Sequence, residues 1–192
     1  MFRKGCTNTY LRPVSYIFLF VSLAITMVSF CTSSWYSKIN EKGIKVFKGI
    51  WNVCEGKQDW PAYCHFLPEP PTPDNPHDDP FFDISSEELT GVRVLISMAI
   101  LFMVGALGYP PFFKQMSTGI LKIGLMSVLS GIAGSCLFTA MLIMTHQMNS
   151  MDPIPNFGYS YIMGWVSTGM CFVTACLIYI ASKDNVYVEG LY

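Results

Sequence analysis

Charged side chains are absent from four stretches of the chain: residues 13–32, 94–108, 123–145 and 159–182. At ~1.5 Å of rise per residue, a helix needs about 20 apolar residues to cross ~30 Å of hydrocarbon. The first, third and fourth stretches meet that length alone. The second meets it only by taking in its flank from Leu89, which contains Arg93. The pattern predicts one domain of four spans, over 13–32, 91–109, 122–145 and 159–182. Tyr109, Pro110 and Pro111 are expected to stop the second, because proline lacks an N–H and clashes with the preceding turn. A cleaved signal peptide is the rival reading of the first stretch. Signal h-regions run about 7–15 residues and precede a small-residue cleavage site, and this run is longer with no such site after it.

The remaining chain divides into tails at 1–12 and 183–192, a long loop at 33–90, and short connectors at 110–121 and 146–158. Positive charge orients them. Arg3, Lys4 and Arg12 lie in the first tail, Lys114 in the connector between spans two and three with Lys122 at its edge, and Lys183 at the start of the last tail. The connector after span three holds only Asp152. Both ends are therefore expected in the cytoplasm, with loops 33–90 and 146–158 outside and the chain multi-pass in the plasma membrane.

Composition agrees. The 192 residues are 52% hydrophobic and 13% charged, against about 25% charged in soluble domains, which excludes intrinsic disorder. A net charge of −1 offers no basic footprint for nucleic acid.

Cys54 and Cys64 fall in the outer loop, where an oxidising setting favours a disulfide over free or metal-bound thiols. Cys31, Cys136, Cys171 and Cys176 lie within spans and read as small apolar residues. Cys6, near the membrane on the cytoplasmic side, is open to S-palmitoylation or stays a plain thiol. Close helix approach in lipid needs small residues. Ser127, Gly131 and Ser135 supply a four-residue row on span three, with Ser130 and Gly134 beside it. Ser160, Gly164 and Thr168 supply one on span four. Packing within one chain is the plainer use, self-association the sharper one. No span holds a carboxylate, His or Lys at mid-depth, as proton relays and ion-coupled transporters require. Arg93 reads as a clamp from span two to carbonyls or an acid of the outer loop, with simple anchoring at the interface as the alternative. His65, His77 and His146 stand beside no nucleophile motif, and no phosphate loop or metal-ligand spacing occurs. No enzyme activity, cofactor or metal is expected.

Loop 33–90 holds Trp35, then Gly49-Ile50-Trp51, then Cys54 and Cys64, and Arg93 opens the second span. In this ordered set the chain resembles the claudin and peripheral myelin protein superfamily, with Gly-Ile-Trp in place of Gly-Leu-Trp. Residues 156–165 (NFGYSYIMGW) are similar to the opening of the fourth span in epithelial membrane proteins and lens membrane protein. The resemblance covers most of the chain. It implies a left-handed four-transmembrane-helix bundle with a small extracellular antiparallel β-sheet, the disulfide joining neighbouring strands, and Trp35 and Trp51 packing near the lipid surface. Residues 42–53 alternate partly, as a strand with one buried face does.

Residues 67–80 depart from the superfamily as a Pro-rich acidic insertion, suited to extended structure and not to a sheet. Across the loop ten acids face five lysines, which reads as a hydrated surface and not as a calcium site. The end, Leu191-Tyr192, lacks the Tyr-Val of claudins, which weakens the case for a PDZ-type or scaffold contact. The resemblance implies a protein that organises cell-cell contacts, such as cell junctions, or membrane domains, with partners in cis or trans. Alternatives are an auxiliary gamma-type subunit of a channel or receptor, and a paracellular barrier or pore. Phe47, Trp60, Tyr63, Phe66, Phe81 and Phe82 are the candidate contact residues, because exposed aromatics concentrate binding energy.

Overall fold

A computed structural model of the chain describes residues 7–39, 45–56, 63–66, 86–112, 119–150 and 156–189. Four helices dominate: α1 (Thr7–Cys31), α2 (Ser86–Phe112), α3 (Gly119–Ser150) and α4 (Tyr159–Glu189). All four are long and apolar enough to cross a membrane. Only 28–39% of each candidate span is buried, and large apolar side chains such as Phe20, Leu101 and Ile162 face outward. A helix that is apolar all round suits lipid and would be costly in water.

The helices outrun the expected spans at several ends. α1 begins at Thr7 and carries Pro13 within it. α2 continues through Pro110 and Pro111 to Phe112, correcting the stop expected at residue 109. Proline's fixed φ is itself helical, and here the missing N–H groups cost only bonds of the last turn. α3 runs on through residues 146–150, which shortens the expected connector. Its inward face does not end with the hydropathy at Thr145, since Gln147 and Met148 are buried. Gln147 Nε2 also donates to the Glu88 carboxylate at the start of α2. α4 begins at Tyr159 as expected and continues past Lys183.

The buried positions follow one rule in every helix. A seam of buried positions falls at 15, 19, 22, 26 and 29 in α1; 89, 92, 96, 99, 103 and 106 in α2; 126, 130, 133, 137, 140, 144 and 147 in α3; and 160, 164, 167, 171, 174, 178 and 181 in α4, with Gly134, Met141 and Met148 of α3 and Thr168 of α4 buried beside it. Steps of four and three alternate throughout, the spacing of a coiled-coil seam. α4 packs between α1 and α3, and α3 between α4 and α2; of the four neighbouring helix pairs, α1 and α2 touch least.

Short strands cover one end of the bundle: β1 (Tyr36–Ile39), β2 (Lys45–Lys48), β3 (Asn52–Gly56), β4 (Tyr63–Phe66) and β5 (Asn156–Phe157). They form one antiparallel sheet in the order β4-β3-β2-β1-β5. The single strand expected within 42–53 resolves into β2 and β3, broken at Gly49–Trp51. Alternation fails there for a physical reason: Val46, Phe47 and Lys48 are all buried, as in a strand covered on both faces. β1 follows the end of α1 and β5 precedes α4, so the sheet sits at the end of the bundle opposite the chain's described termini.

Candidate functional site

The residues singled out in the long loop converge where the sheet meets the helices. Gly49 makes the turn between β2 and β3, its N–H donating to the Asn52 carbonyl at 2.8 Å. A Cβ at Gly49 would lie 2.6 Å from Ser33 Cα and 2.9 Å from the Thr32 carbonyl, so no larger residue fits against the end of α1. The turn aims the Ile50 carbonyl at α2. Arg93 donates to it twice, from Nε at 3.0 Å and Nη2 at 2.8 Å. The same guanidinium lies 4.8 Å from the Trp51 ring centre, within cation–π range. Trp51 also meets Phe30 of α1 edge-on, with centroids 5.1 Å apart. Phe30, Trp51 and Arg93 therefore tie α1, the sheet and α2 together on the side where those two helices touch least. Among the described residues the clamp takes in a backbone carbonyl, an acceptor of the kind expected, and the indole face adds to it.

Trp35 corrects an expectation. Its indole is 1% exposed and donates to the Ser29 carbonyl at 2.8 Å, so it is a core residue whose N–H is satisfied by protein and not by interfacial water. Trp51 remains half-buried. The backbone around Trp35 is held from two sides: its N–H reaches the Lys48 carbonyl at 3.2 Å, and its carbonyl accepts from Gly158 N–H at 2.8 Å. A Cβ at Gly158 would sit 1.9 Å from the Ser34 carbonyl oxygen. This Gly158 contact stitches the start of α4 onto the sheet, and Ser160 N–H adds a bond to the Ser34 carbonyl at 3.1 Å.

Cys54 and Cys64 face each other directly across β3 and β4, with sulfurs 2.05 Å apart. They staple the edge strand to the sheet. Cys54 is fully buried. Burial also pushes the Tyr36 phenol well above its ordinary pKa through loss of hydration, so it stays neutral in the folded state.

Phe47 proves unavailable to a partner. It is 7% exposed, with the Lys45 ammonium 5.2 Å from its ring centre. Tyr63 and Phe66 lie on β4. Trp60, Phe81, Phe82, Cys6 and the Pro-rich insertion fall outside the described residues.

Among the small residues, Ser127 Oγ donates to the Ala175 carbonyl of α4 at 2.8 Å. Gly131 and Ser135, however, are not at the interface. Nothing lies within 4 Å of a Cβ built at Gly131, and Ser135 is exposed and bonded back to its own helix. Four-residue steps drift off a seam that alternates four and three, so the row rotates outward. The neighbouring pair does the packing: Ser130 Oγ donates to the Cys171 carbonyl at 3.1 Å, and a Cβ at Gly134 would crowd Cys171 at 3.2 Å. On α4 the row is at the interface. A Cβ at Gly164 would come within 2.7 Å of Met141 Sδ, and Ser160 and Thr168 are buried.

Sequence reasoning missed the partner of that row, a hydroxyl ladder on α1. Ser22 and Ser167 meet hydroxyl to hydroxyl at 3.0 Å, each within reach of the other's backbone carbonyl, and Thr26 joins them. Nearer the sheet, Ser29 Oγ donates to the Ser160 carbonyl at 2.7 Å, and Thr32 and Ser160 share a 2.6 Å hydroxyl pair.

Comparison of the chain with known family profiles and with curated protein sequences finds no match.

Proposed function

We propose that this chain is a non-enzymatic tetraspan protein of the claudin and epithelial-membrane-protein kind. It stands multi-pass in the plasma membrane with both ends cytoplasmic. The sheet faces outward, where it organises cell-cell contacts or membrane domains by binding membrane proteins in the same or an opposing bilayer. One observation carries the reading: Trp35, the Gly49-Ile50-Trp51 run and Arg93, three separate points of the sequence, meet at one junction that fixes the sheet to the helices. A display surface needs such fixing, because a rigid platform loses less entropy when a partner docks. The alternating four-three seam supports left-handed winding of the bundle. Arg and Lys in the tails and in the connector between α2 and α3 support the orientation. Ile39, 62% exposed at the far end of β1, and Phe157, 46% exposed on β5, are the described sheet residues best suited to contact a partner.

The test is expression in cells that lack contacts of their own. Enrichment at boundaries between two expressing cells, lost in Ile39→Asp with surface level unchanged, is the expected result. Uniform distribution over the membrane would contradict a role in contacts. Co-purification with one channel and altered gating would mark an auxiliary subunit instead, and freeze-fracture strands with changed conductance a paracellular barrier.

A further inference from the structure

The outer surface where α3 meets α4 carries a continuous chain of aromatic rings. Phe157 stacks on Tyr161 with centroids 4.6 Å apart. Tyr161 meets Trp165 at 6.4 Å, Trp165 meets Phe138 of α3 at 5.8 Å, and Phe138 meets Phe172 at 6.5 Å. Phe138 and Phe172 are 41% and 39% exposed. From Tyr161 to Phe172 the ladder follows α4 for roughly 16 Å at the ordinary rise per residue. Beside Phe138 the surface drops to Gly131 and the exposed Ser135, whose hydroxyl is already spent on its own helix.

The end nearest the sheet has a defined polarity. Thr145 Oγ1 donates to the Met141 carbonyl at 2.7 Å, which uses its one proton. The 2.7 Å contact between Thr145 and Tyr161 must therefore run from the phenol to the threonine. Tyr161 has then spent its proton as well, and among the described residues no donor is directed at its remaining lone pair. An exposed apolar face headed by an acceptor selects an amphiphile with a rigid apolar body and one hydroxyl donor.

We infer that this ladder binds a sterol, with the sterol hydroxyl donating to the Tyr161 phenolic oxygen and the ring system lying along Trp165, Phe138 and Phe172. A phospholipid acyl chain fits less well: it brings no donor at that depth, and it loses more freedom than a fused ring when held against a fixed surface. The inference rests on the membrane reading of the four helices, so the test separates the two.

Purified full-length protein in phosphatidylcholine vesicles is photolabelled with a diazirine sterol, and in parallel with a diazirine acyl phospholipid; labelled peptides are then mapped. The phospholipid is expected on all four helices, and its absence from them would overturn the membrane reading itself. The sterol is expected to concentrate on α3 and α4, and cholesterol to compete. The 3-keto analogue, which accepts but cannot donate, should compete about five-fold less well, the worth of one ordinary hydrogen bond. Tyr161→Phe keeps the ring and should abolish that difference, while Phe138→Ala should weaken alcohol and ketone alike. Even labelling of all helices, or equal competition by alcohol and ketone in the unaltered chain, would overturn the proposal.

Discussion

Two sides of α1 face different neighbours and are held by different chemistry. Along its length, α1 binds α4 through Ser22, Thr26 and Ser29, a ladder of neutral hydroxyls repeated on the seam. At its sheet end it is joined to α2 through Phe30, Trp51 and Arg93, a small set of strong contacts that includes a charge. In lipid a serine gains little from a partner, because the unassembled helix also satisfies its hydroxyl on its own backbone; measured values average only ~0.6 kcal/mol. A guanidinium near the end of a span has no such fallback, and its bonds are worth about 1.5–3 kcal/mol. The seam therefore spreads its stability over many replaceable positions, while the junction concentrates it in few.

That contrast can be broken in order of expected effect. Gly158→Ala drives a methyl into the Ser34 carbonyl, backbone against backbone with no flexible side chain to yield. A loss of about 3 kcal/mol or more is expected, read as failure to reach the cell surface or a collapsed melting temperature. Cys54→Ser or Cys64→Ser frees β4 from β3 and should cost about 2–3 kcal/mol for a ten-residue loop. Surface delivery would fall, and the unaltered chain alone would shift on a non-reducing gel. Arg93→Ala, which strands the Ile50 carbonyl, should cost about 2 kcal/mol, and Arg93→Lys should recover only part because lysine lacks the fork that donates twice. Ser167→Ala should cost well under ~1 kcal/mol, and Gly131→Ala nothing measurable, since its Cβ meets open space. A seam substitution that outweighed Arg93→Ala in thermal unfolding would reverse the contrast.

The four helices were legible because missing charge marks a span without any knowledge of its partners. The motif of Trp35, Gly49, Ile50, Trp51 and Arg93 was legible as a set, and the structure places these five residues at the junction of sheet and helices. The inward face of each helix was not legible. Hydropathy is nearly even all round, so Leu19 inside and Phe20 outside look alike, and the signal lies in size: Ser15, Ser22, Thr26 and Ser29 fall on the four-three seam, whereas Gly131 and Ser135 do not. Trp35 was misplaced for a related reason. An indole suits a membrane interface, but the same N–H is equally well served by the Ser29 carbonyl freed at the end of α1. Gly158 lies in the 156–165 segment singled out by resemblance, but its fit against Ser34 follows only from β5 returning beside β1, a pairing between residues more than a hundred positions apart. Helix 146–150 was hidden because its inward face is kept by Gln147, a polar side chain bonded to Glu88.

Sidedness is the most direct trial of the central claim. Short epitopes placed at each end of the chain and, separately, within residues 70–80 are probed by antibody on intact and on permeabilised cells. The account predicts staining of intact cells through the 70–80 epitope alone, with both ends stained only after permeabilisation. An end exposed on intact cells, or an insertion hidden until the membrane is opened, would contradict it.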